Sequence, residues 1–411
     1  MKSRLDGQAL LGEFVRRPSL SGREDALAQW LERELAACPW QLERVGNSLL
    51  ITIGTGEGPT LLCHSHLDTV AAGEGWSCDP HGGHWNDGRL VGLGANDAGA
   101  AAVAMLCALE QVAQLSLGQP LAGTVHLALC AEEETNNSGM AEVLARLAER
   151  GSQPDGAICG EPTGLEVVRA QAGLAVLVAE WKGKSCHAAR ALSVEHDNAL
   201  LAAAREVAGL PPVLVLEGEH ALLGPSTIVP AAFTSGAAHN RVPDRARLLL
   251  DARLAPPHDA LECVQVLRTW LPAAHITIKS DRLVAVETAE DHPLVLAALE
   301  AVAAVSAPGA SDANRFPGAP GVNSANSAPG ANRAMRDTAA GNGASAVGSA
   351  TMSDMALIPD IPAIKCGPGI SERSHAPDEY ITAAELQAGT AFYTRAIPAC
   401  LHSLTPEVAI P

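Results

Sequence analysis

A chain of 411 residues is long enough for two domains with ordinary cores, and 47% hydrophobic against 18% charged residues is a globular composition, not a disordered one. Its 46 acidic side chains outweigh 28 basic ones for a formal charge of −18, which argues against a nucleic-acid or anionic-membrane partner, since phosphate binding needs basic patches. With only 6 Trp, 2 Tyr and 4 Phe, the cores must be built mainly from Ala, Leu and Val.

The ten cysteines are scattered from Cys38 to Cys400 with no CxxC pair, so they read as reduced, mostly buried thiols of a reducing compartment. The N-terminus is charged early and lacks an apolar signal core, and the longest apolar run, near 98–109, is too short to cross a bilayer. The expectation is a soluble, cytoplasmic protein.

The first forty residues carry two apolar stripes at helical spacing: Leu10, Leu11, Phe14 and Val15, then Ala26, Leu27, Trp30, Leu31 and Leu35. Ser21, with Glu24 three positions on, has the form of a capping box ahead of the second stripe. Apolar runs of strand length follow at 48–53, 60–63, 124–130 and 156–159, separated by helical stretches at 98–112 and 139–150. This alternation predicts an α/β architecture with a largely parallel sheet covered on both faces.

From Gly173 the pattern changes. A strand at 175–181, a helix at 197–207, strands at 227–234 and 246–253, a helix at 259–271 and a strand at 276–279 give the order βαββαβ, a ferredoxin-like unit. The predicted organisation is a first domain of residues 1–172 and 282–411, with residues 173–281 inserted as the second domain. After a helix at 292–304, the stretch 306–350 is rich in Ala, Gly, Ser, Asn and Pro, with near-repeats at 306–310 and 327–331. It cannot bury enough apolar surface to offset its ordering entropy, which predicts a disordered surface insertion. Order is expected again from Met352, with a strand at 361–366 and a closing helix from Thr382.

Five segments bring metal-type ligands to the ends of these elements. The first, 61–70, ends an apolar strand in His66 with Asp68 two positions on, an imidazole ligand beside a carboxylate that fixes its orientation. His64 is the competing histidine, disfavoured because Asp68 follows His66 at the right interval. The others are Asp97 within 92–99, the acidic run Glu132-Glu133-Glu134, Gly160-Glu161-Pro162, and Arg373-Ser374-His375. Open α/β sheets build their sites at the carboxyl ends of parallel strands. Two His and several carboxylates without Cys suit zinc or cobalt and are compatible with manganese. A carboxylate shared by two ions about 3.5–4 Å apart gives a two-metal site for hydrolysis.

Each residue also has a plainer reading. Asp97 and Glu161 could be caps, and Glu132–Glu134 a solvated acidic run. Gly92-x-Gly94 does not open a dinucleotide site, because Asp97 stands where the third glycine would and an acid repels pyrophosphate. No Gly-x-Ser-x-Gly elbow supports serine-hydrolase chemistry.

In this order the motifs (His-x-Asp, a lone Asp before a helix, a paired Glu, Gly-Glu-Pro and a late His) resemble the M20 family of metallopeptidases and deacylases, over nearly the whole chain except the insertion. Segments 92–99 and 371–381 are most similar to its N-acetylornithine/N-acetylcitrulline deacetylase branch. The resemblance implies a zinc-hydrolase catalytic domain, an inserted lid and dimerisation domain, and two divalent ions, Zn2+ or Co2+. Asp97 would bridge the ions, with His66 and Glu161 completing one site and Glu134 and His375 the other. Asp68 would belong with the catalytic residues, and Glu133 would be the general base that later hands its proton to the leaving amine. Gly139, five positions after Glu134, favours this register; a slip of one would make Glu133 the ligand and Glu132 the base.

Within the inserted domain, 183–187 resembles the family's Gly-x-x-x-His, whose histidine, here His187, stabilises the tetrahedral oxyanion, usually across a dimer interface. Segments 238–243 and 251–253 resemble those that hold the substrate's carboxylate, which singles out Asn240 and Arg253. A guanidinium fork suits a carboxylate, although a strand-end Arg also commonly forms a surface ion pair. Gly367 resembles the glycine of a loop whose backbone approaches the substrate.

The function implied is hydrolysis of an N-acyl amino acid by a homodimer, with N-acetylornithine or N-acetylcitrulline as substrate in arginine biosynthesis. A succinyl-diaminopimelate-type desuccinylase or an M20 dipeptidase is the nearest alternative. A non-catalytic acyl-amino-acid-binding homologue is the alternative of another class.

Overall fold

The computed structural model describes residues 4–118, 120–306 and 345–405. Most of the stretch read as a disordered insertion, 307–344, therefore lies outside the described residues. Its end does not: Val347–Ser349 forms a short strand, so regular structure begins before Met352.

In chain order come α1 (Gly7–Val15), α2 (Asp25–Leu35), β1 (Gln41–Val45), β2 (Ser48–Gly54), β3 (Thr60–His66), α3 (Ala100–Ser116), β4 (Thr124–Cys130), α4 (Ser138–Glu149) and β5 (Gly156–Cys159). There follow β6 (Gly173–Lys182), α5 (Ala199–Val207), β7 (Thr227–Ser235), β8 (Arg245–Leu254), α6 (Ala260–Trp270) and β9 (His275–Leu283). The chain closes with α7 (Pro293–Ser306), β10 (Ala363–Lys365) and α8 (Ala383–Ser403). Two compact units result: Met1–Arg169 with Glu287–Val347 and Ser353–Pro411, and Ala170–Val286 with Gly348–Met352.

In the sheet of the first unit β1–β2–β4–β3–β5–β10 are successive neighbours, and the strand Val168–Gln171 follows β10. β4, β3, β5 and β10 are parallel, whereas β2 runs antiparallel to β4 and β1 antiparallel to β2. The sheet is thus parallel at its centre and antiparallel at this edge. β4 is buried along its whole length, which is why it reads as an unbroken apolar run and not an alternation. β1 escaped the sequence reading because Gln41, Glu43 and Arg44 give it the polarity of a loop; charge on an edge strand is a common guard against pairing with other chains.

Ala95–Ser116 is the one helical stretch among the described residues long and apolar enough to cross a bilayer. It exceeds the apolar run seen in the sequence, yet 83% of its apolar window is buried inside the fold, so it is a core helix. Its alanines supply the small, helix-favouring surface that an aromatic-poor core needs. Glu110 sits buried within it and accepts the backbone N–H groups of Arg4 and Leu5, both at 3.0 Å.

The capping box read at Ser21 and Glu24 is not formed. Helix α2 starts at Asp25 with no side-chain cap, and the buried Glu24 carboxylate instead accepts from the backbone of Gly22 and Glu132, at 2.6 and 3.2 Å. A capping box does open α8, between Thr382 and Glu385.

In the second unit the antiparallel order β7–β8–β6–β9 is that of a ferredoxin-like unit, with the short strand Leu214–Val215 added beside β7. Ala175, Leu177, Ala179 and Trp181 of β6 share a core with Ala246, Leu248, Leu250 and Ala252 of β8, covered by Ala199 and Ala203 of α5 and Cys263 and Leu267 of α6. The period-2 alternation of β8 follows from having one covered face. All ten cysteines are free; eight are buried, Cys186 is half-buried and Cys78 exposed.

His126 on β4 is buried between Thr52 Oγ and Ser152 Oγ, each at 2.9 Å, and burial, with the Arg150 charge, pushes its pKa down to about 4. A depressed folded-state pKa means that stability present above pH 6.5 is lost as pH falls towards 4. The replacement His126→Gln is expected to recover roughly 2 kcal/mol of the stability that the parent loses between pH 7 and pH 5. Urea midpoints at the two pH values measure it; an identical loss in both proteins would remove His126 as the cause.

Candidate metal centre

Strand β3 ends at His66, in register with Cys130 at the end of β4. His66 Nδ1 lies 2.9 Å from the Asp68 carbonyl oxygen, which can only accept, so Nδ1 carries hydrogen and Nε2 is turned to Asp97 Oδ1 at 3.3 Å. Burial alone would keep this imidazole neutral, but hydrogen bonds to Asp68 and Asp97 and the charges of Glu161 and Glu133 hold its pKa well above the usual value. Asp68 receives Ser21 Oγ at 2.7 Å and the backbone N–H groups of Glu133 and Glu134 at 3.0 and 3.1 Å. Burial works to raise its pKa; the hydrogen bond and charge of His66, with Ser21 and the Glu134 N–H, bring it below the ordinary range.

Asp97 stands at the mouth of α3 but does not cap it. Its backbone is extended (φ −117°, ψ 101°), and Gly99, at the N-cap position, has no side-chain cap. The loop turns at Gly94, whose φ of +75° suits glycine, and a Cβ there would meet Thr69 Cγ at 2.6 Å. Glu379 accepts the backbone N–H groups of Asn96 and Asp97 at 2.8 and 2.9 Å. Asn96 in turn bonds Ile370 in both directions and reaches Ser374 Oγ at 3.2 Å. These bonds lock the Asp97 loop to the segment carrying His375.

His375 has left-handed backbone (φ 59°), and its Nε2 lies 2.9 Å from Glu134 Oε1 and 3.5 Å from Asp97 Oδ2. Glu132 also has positive φ, but it turns aside, hydrogen-bonded through Ser138 Oγ, and leaves Glu133 and Glu134 facing the cluster. Gly139 begins α4 where a Cβ would strike Ala131 O at 2.4 Å, so the glycine lets the helix start directly over the end of β4.

Three groups of ligand atoms lie within 4.8 Å of one another: His66, Glu133 and Glu134; His66, Asp97 and Glu161; and Asp97, Glu134 and His375. Asp97 belongs to two of them, facing His66 with one oxygen and His375 with the other. The donors are imidazole nitrogen and carboxylate oxygen throughout, a set that fits a pair of divalent ions of the zinc or cobalt type. The protonation pattern agrees with that fit. Burial and the Asp97 charge push Glu161 up to about 8, and burial, with Glu161 and Asp354 close by, raises Glu133 well above the carboxylate range. The hydrogen bond to Glu134 lifts His375 to about 9. Without cations the cluster relieves its own repulsion by retaining protons.

His64, two residues before His66, is fully buried with no hydrogen-bond partner for either nitrogen among the described residues, and burial lowers its pKa to about 4. It belongs to none of the three groups.

The remaining residues singled out in the sequence belong to none of the three groups. Gly367 is buried, and the space its missing Cβ leaves is filled by Glu161 O and Tyr393 Oη, which a Cβ would meet at 2.6 and 2.7 Å. On this side its close approach is to the chain itself. In the second unit His187 is exposed and accepts from the Ala189 N–H, while Ala188 N donates to Asn240 O at 2.9 Å, so His187 and Asn240 sit on neighbouring segments. Arg253 is not with them. It lies at the far end of β8 and pairs with Asp251 at 2.8 Å, the surface ion pair that was its plainer reading. Asn96 and Glu379 went unnoticed in the sequence, and Ser21 was read there only as a helix cap, because their partners come from distant segments and no local pattern marks the pairing.

The profile described as peptidase family M20/M25/M40 matches residues 62–399. Among curated proteins, the acetylornithine deacetylase of Proteus mirabilis is 37% identical over 151 residues, which is 36% of this chain and 37% of that protein. The succinyl-diaminopimelate desuccinylase of Wolinella succinogenes is 34% identical over 161 residues, 38% of this chain and 42% of that protein. The chain thus spans about two fifths of the length of these relatives. An M20 family metallo-carboxypeptidase from Sulfolobus solfataricus has the same fold over 97% of this chain and all of its own, with a TM-score of 0.69 and 18% identity. A dinuclear metal-binding peptidase of Bacillus subtilis matches 96% of this chain and 98% of its own, with a TM-score of 0.65 and 17% identity. The match over residues 62–399 covers most of the sequence, and the chain belongs to peptidase family M20/M25/M40.

Proposed function

We propose that this chain is a two-metal amidohydrolase that removes the acyl group from an N-acyl amino acid, with N-acetylornithine or N-acetylcitrulline as substrate. The observation that carries the reading is Asp97, whose two carboxylate oxygens face two separate His/carboxylate groups. In this reading Asp97 would be shared by the two ions, with His66 and Glu161 to hold one and Glu134 and His375 the other. Bound there, two divalent cations lower the pKa of the attacking water and polarise the acyl oxygen.

Glu133 fits the part of general base. It lies within the cluster, and a carboxylate there can both take a proton and give it back. Asp68 orients His66 and, through two backbone N–H groups, the loop that carries Glu133. His187 as oxyanion donor, and Asn240 and Arg253 as partners of the substrate carboxylate, complete the proposal in a cytoplasmic homodimer. Arg253 would have to exchange its Asp251 partner for substrate.

The Proteus relative, an acetylornithine deacetylase, supports an acetyl group; the Wolinella relative, at similar identity, supports a succinyl group as the second reading. Stripping the protein with chelator and restoring Zn2+ or Co2+ tests both, against acetylornithine, acetylcitrulline, succinyl-diaminopimelate and dipeptides. Metal-dependent turnover of the acetylated amino acids is expected, and turnover confined to dipeptides would overturn the deacylase reading.

Two variants test the parts. Glu133→Gln is expected to lower kcat by about two orders of magnitude or more while both ions remain bound, measured as kcat beside metal content. Glu379→Ala, which frees the Asn96 and Asp97 amides, is expected to weaken metal binding on the order of tenfold or more, with Glu379→Gln closer to the parent because its amide oxygen still accepts. Isothermal titration reads this, and unchanged affinity in the Ala variant would show that the loop holds without the clamp.

A further inference from the structure

Lys365, at the end of β10, is 1% exposed, and it is the only lysine or arginine among the buried described residues. An ammonium group so placed is costly to bury without opposing charge. Its position on the sheet identifies the opposing charge. Lys365 is in register with Cys159 on β5, and Cys159 is in register with His64 on β3. Neighbours in register share a face of a sheet, so His64, Cys159 and Lys365 form one buried row. His66 lies two residues beyond His64, and Glu161 two residues beyond Cys159. The row therefore lies directly beneath the ligand cluster, with Lys365 at one end of it. Burial pulls the Lys365 ammonium below its usual range, and the nearby Glu161, then Glu133 and Asp97, pull it back, while Lys365 in turn lowers Glu161.

We propose that Lys365 is a built-in counter-charge of the metal centre, holding the acidic cluster together when the ions are absent and opposing the ions when they bind. The inference rests on the two-metal reading above and goes beyond it: a residue that neither ligates nor meets substrate sets how tightly the metals are held. The reasoning is one of sign. Each negative charge carried by the Asp97, Glu133, Glu134 and Glu161 cluster in the metal-free protein repels the next, and a positive charge under them lowers that repulsion. Once divalent cations occupy the same ground, the same charge faces like charge. Lys365 thus favours the empty site and disfavours the filled one. A residue that merely packed would stabilise both forms alike.

The test compares the full-length parent with Lys365→Met, which keeps length and drops charge, and Lys365→Arg, which keeps charge. Zn2+ affinity is measured by competition with a chelator, and thermal midpoints are measured for metal-free and Zn2+-loaded protein. For the Met variant, Zn2+ binding tighter on the order of tenfold is expected. Its midpoint should also drop more in the metal-free than in the loaded form, and the Arg variant should restore parental values. Equal losses of midpoint in both forms, or Zn2+ binding that is unchanged or weaker, would overturn the proposal and leave Lys365 a packing residue. If the Met variant fails to fold, Lys365→Gln, equally uncharged and able to hydrogen-bond, gives the same comparison with the same two outcomes. A parent protein that takes up no Zn2+ would instead bring down the two-metal reading, and the counter-charge with it; the parent titration alone separates that result from a failure specific to Lys365.

Discussion

The site depends on one carboxylate, that of Asp68. Its oxygens take the Ser21 hydroxyl and the backbone N–H groups of Glu133 and Glu134, and it lies against His66 Nδ1. Three stretches of chain meet there: the turn before α2, the end of β3 and the loop after β4. A carboxylate accepts but cannot donate, so every approaching group must offer hydrogen, and that fixes the loop conformation and the His66 ring together. The strands supply the coarse position. β3 and β4 stop at the same level, His66 opposite Cys130, which brings the acidic run beside the histidine before any side-chain bond forms.

Around this point the protein gathers more negative charge than a buried site tolerates unaided. Two unit charges about 4 Å apart repel by about 4 kcal/mol even at a surface-like dielectric. Glu133 and Glu134, Glu134 and Asp97, and Asp97 and Glu161 approach to within 4.8 Å, and the pKa values of Glu161 and Glu133 are raised. The fold does not spread them apart to relieve the strain. It spends Glu379, Asn96 and the backbone of the Asp97 loop on keeping them together. A cluster so actively maintained is arranged for cations.

Most residues of the candidate cluster were legible because they adjoin an element whose pattern is strong: buried strands ending at His66, Cys130 and Cys159, and an apolar helix after Asp97. The two-unit organisation was legible for the same reason, since the continuous apolar runs of a covered parallel sheet differ from the alternation of the one-faced sheet in β8. What stayed hidden were polar residues whose partners are remote. Glu379 bonds to residues some 280 positions away, and Ser21 to one 47 away. Nor does a local pattern reveal its competitor: Ser21 and Glu24 have capping-box spacing, but both side chains are drawn off to the acidic loop and its supporting Asp68.

The free thiols have a use beyond packing. Eight are sealed in the two cores, and the two that remain reachable fall one to each unit, Cys78 in the first and Cys186 in the second. A maleimide dye or spin label would therefore mark each half of the chain once without any engineered cysteine. Because Cys186 immediately precedes His187, the second label would report on the segment where an oxyanion donor is proposed.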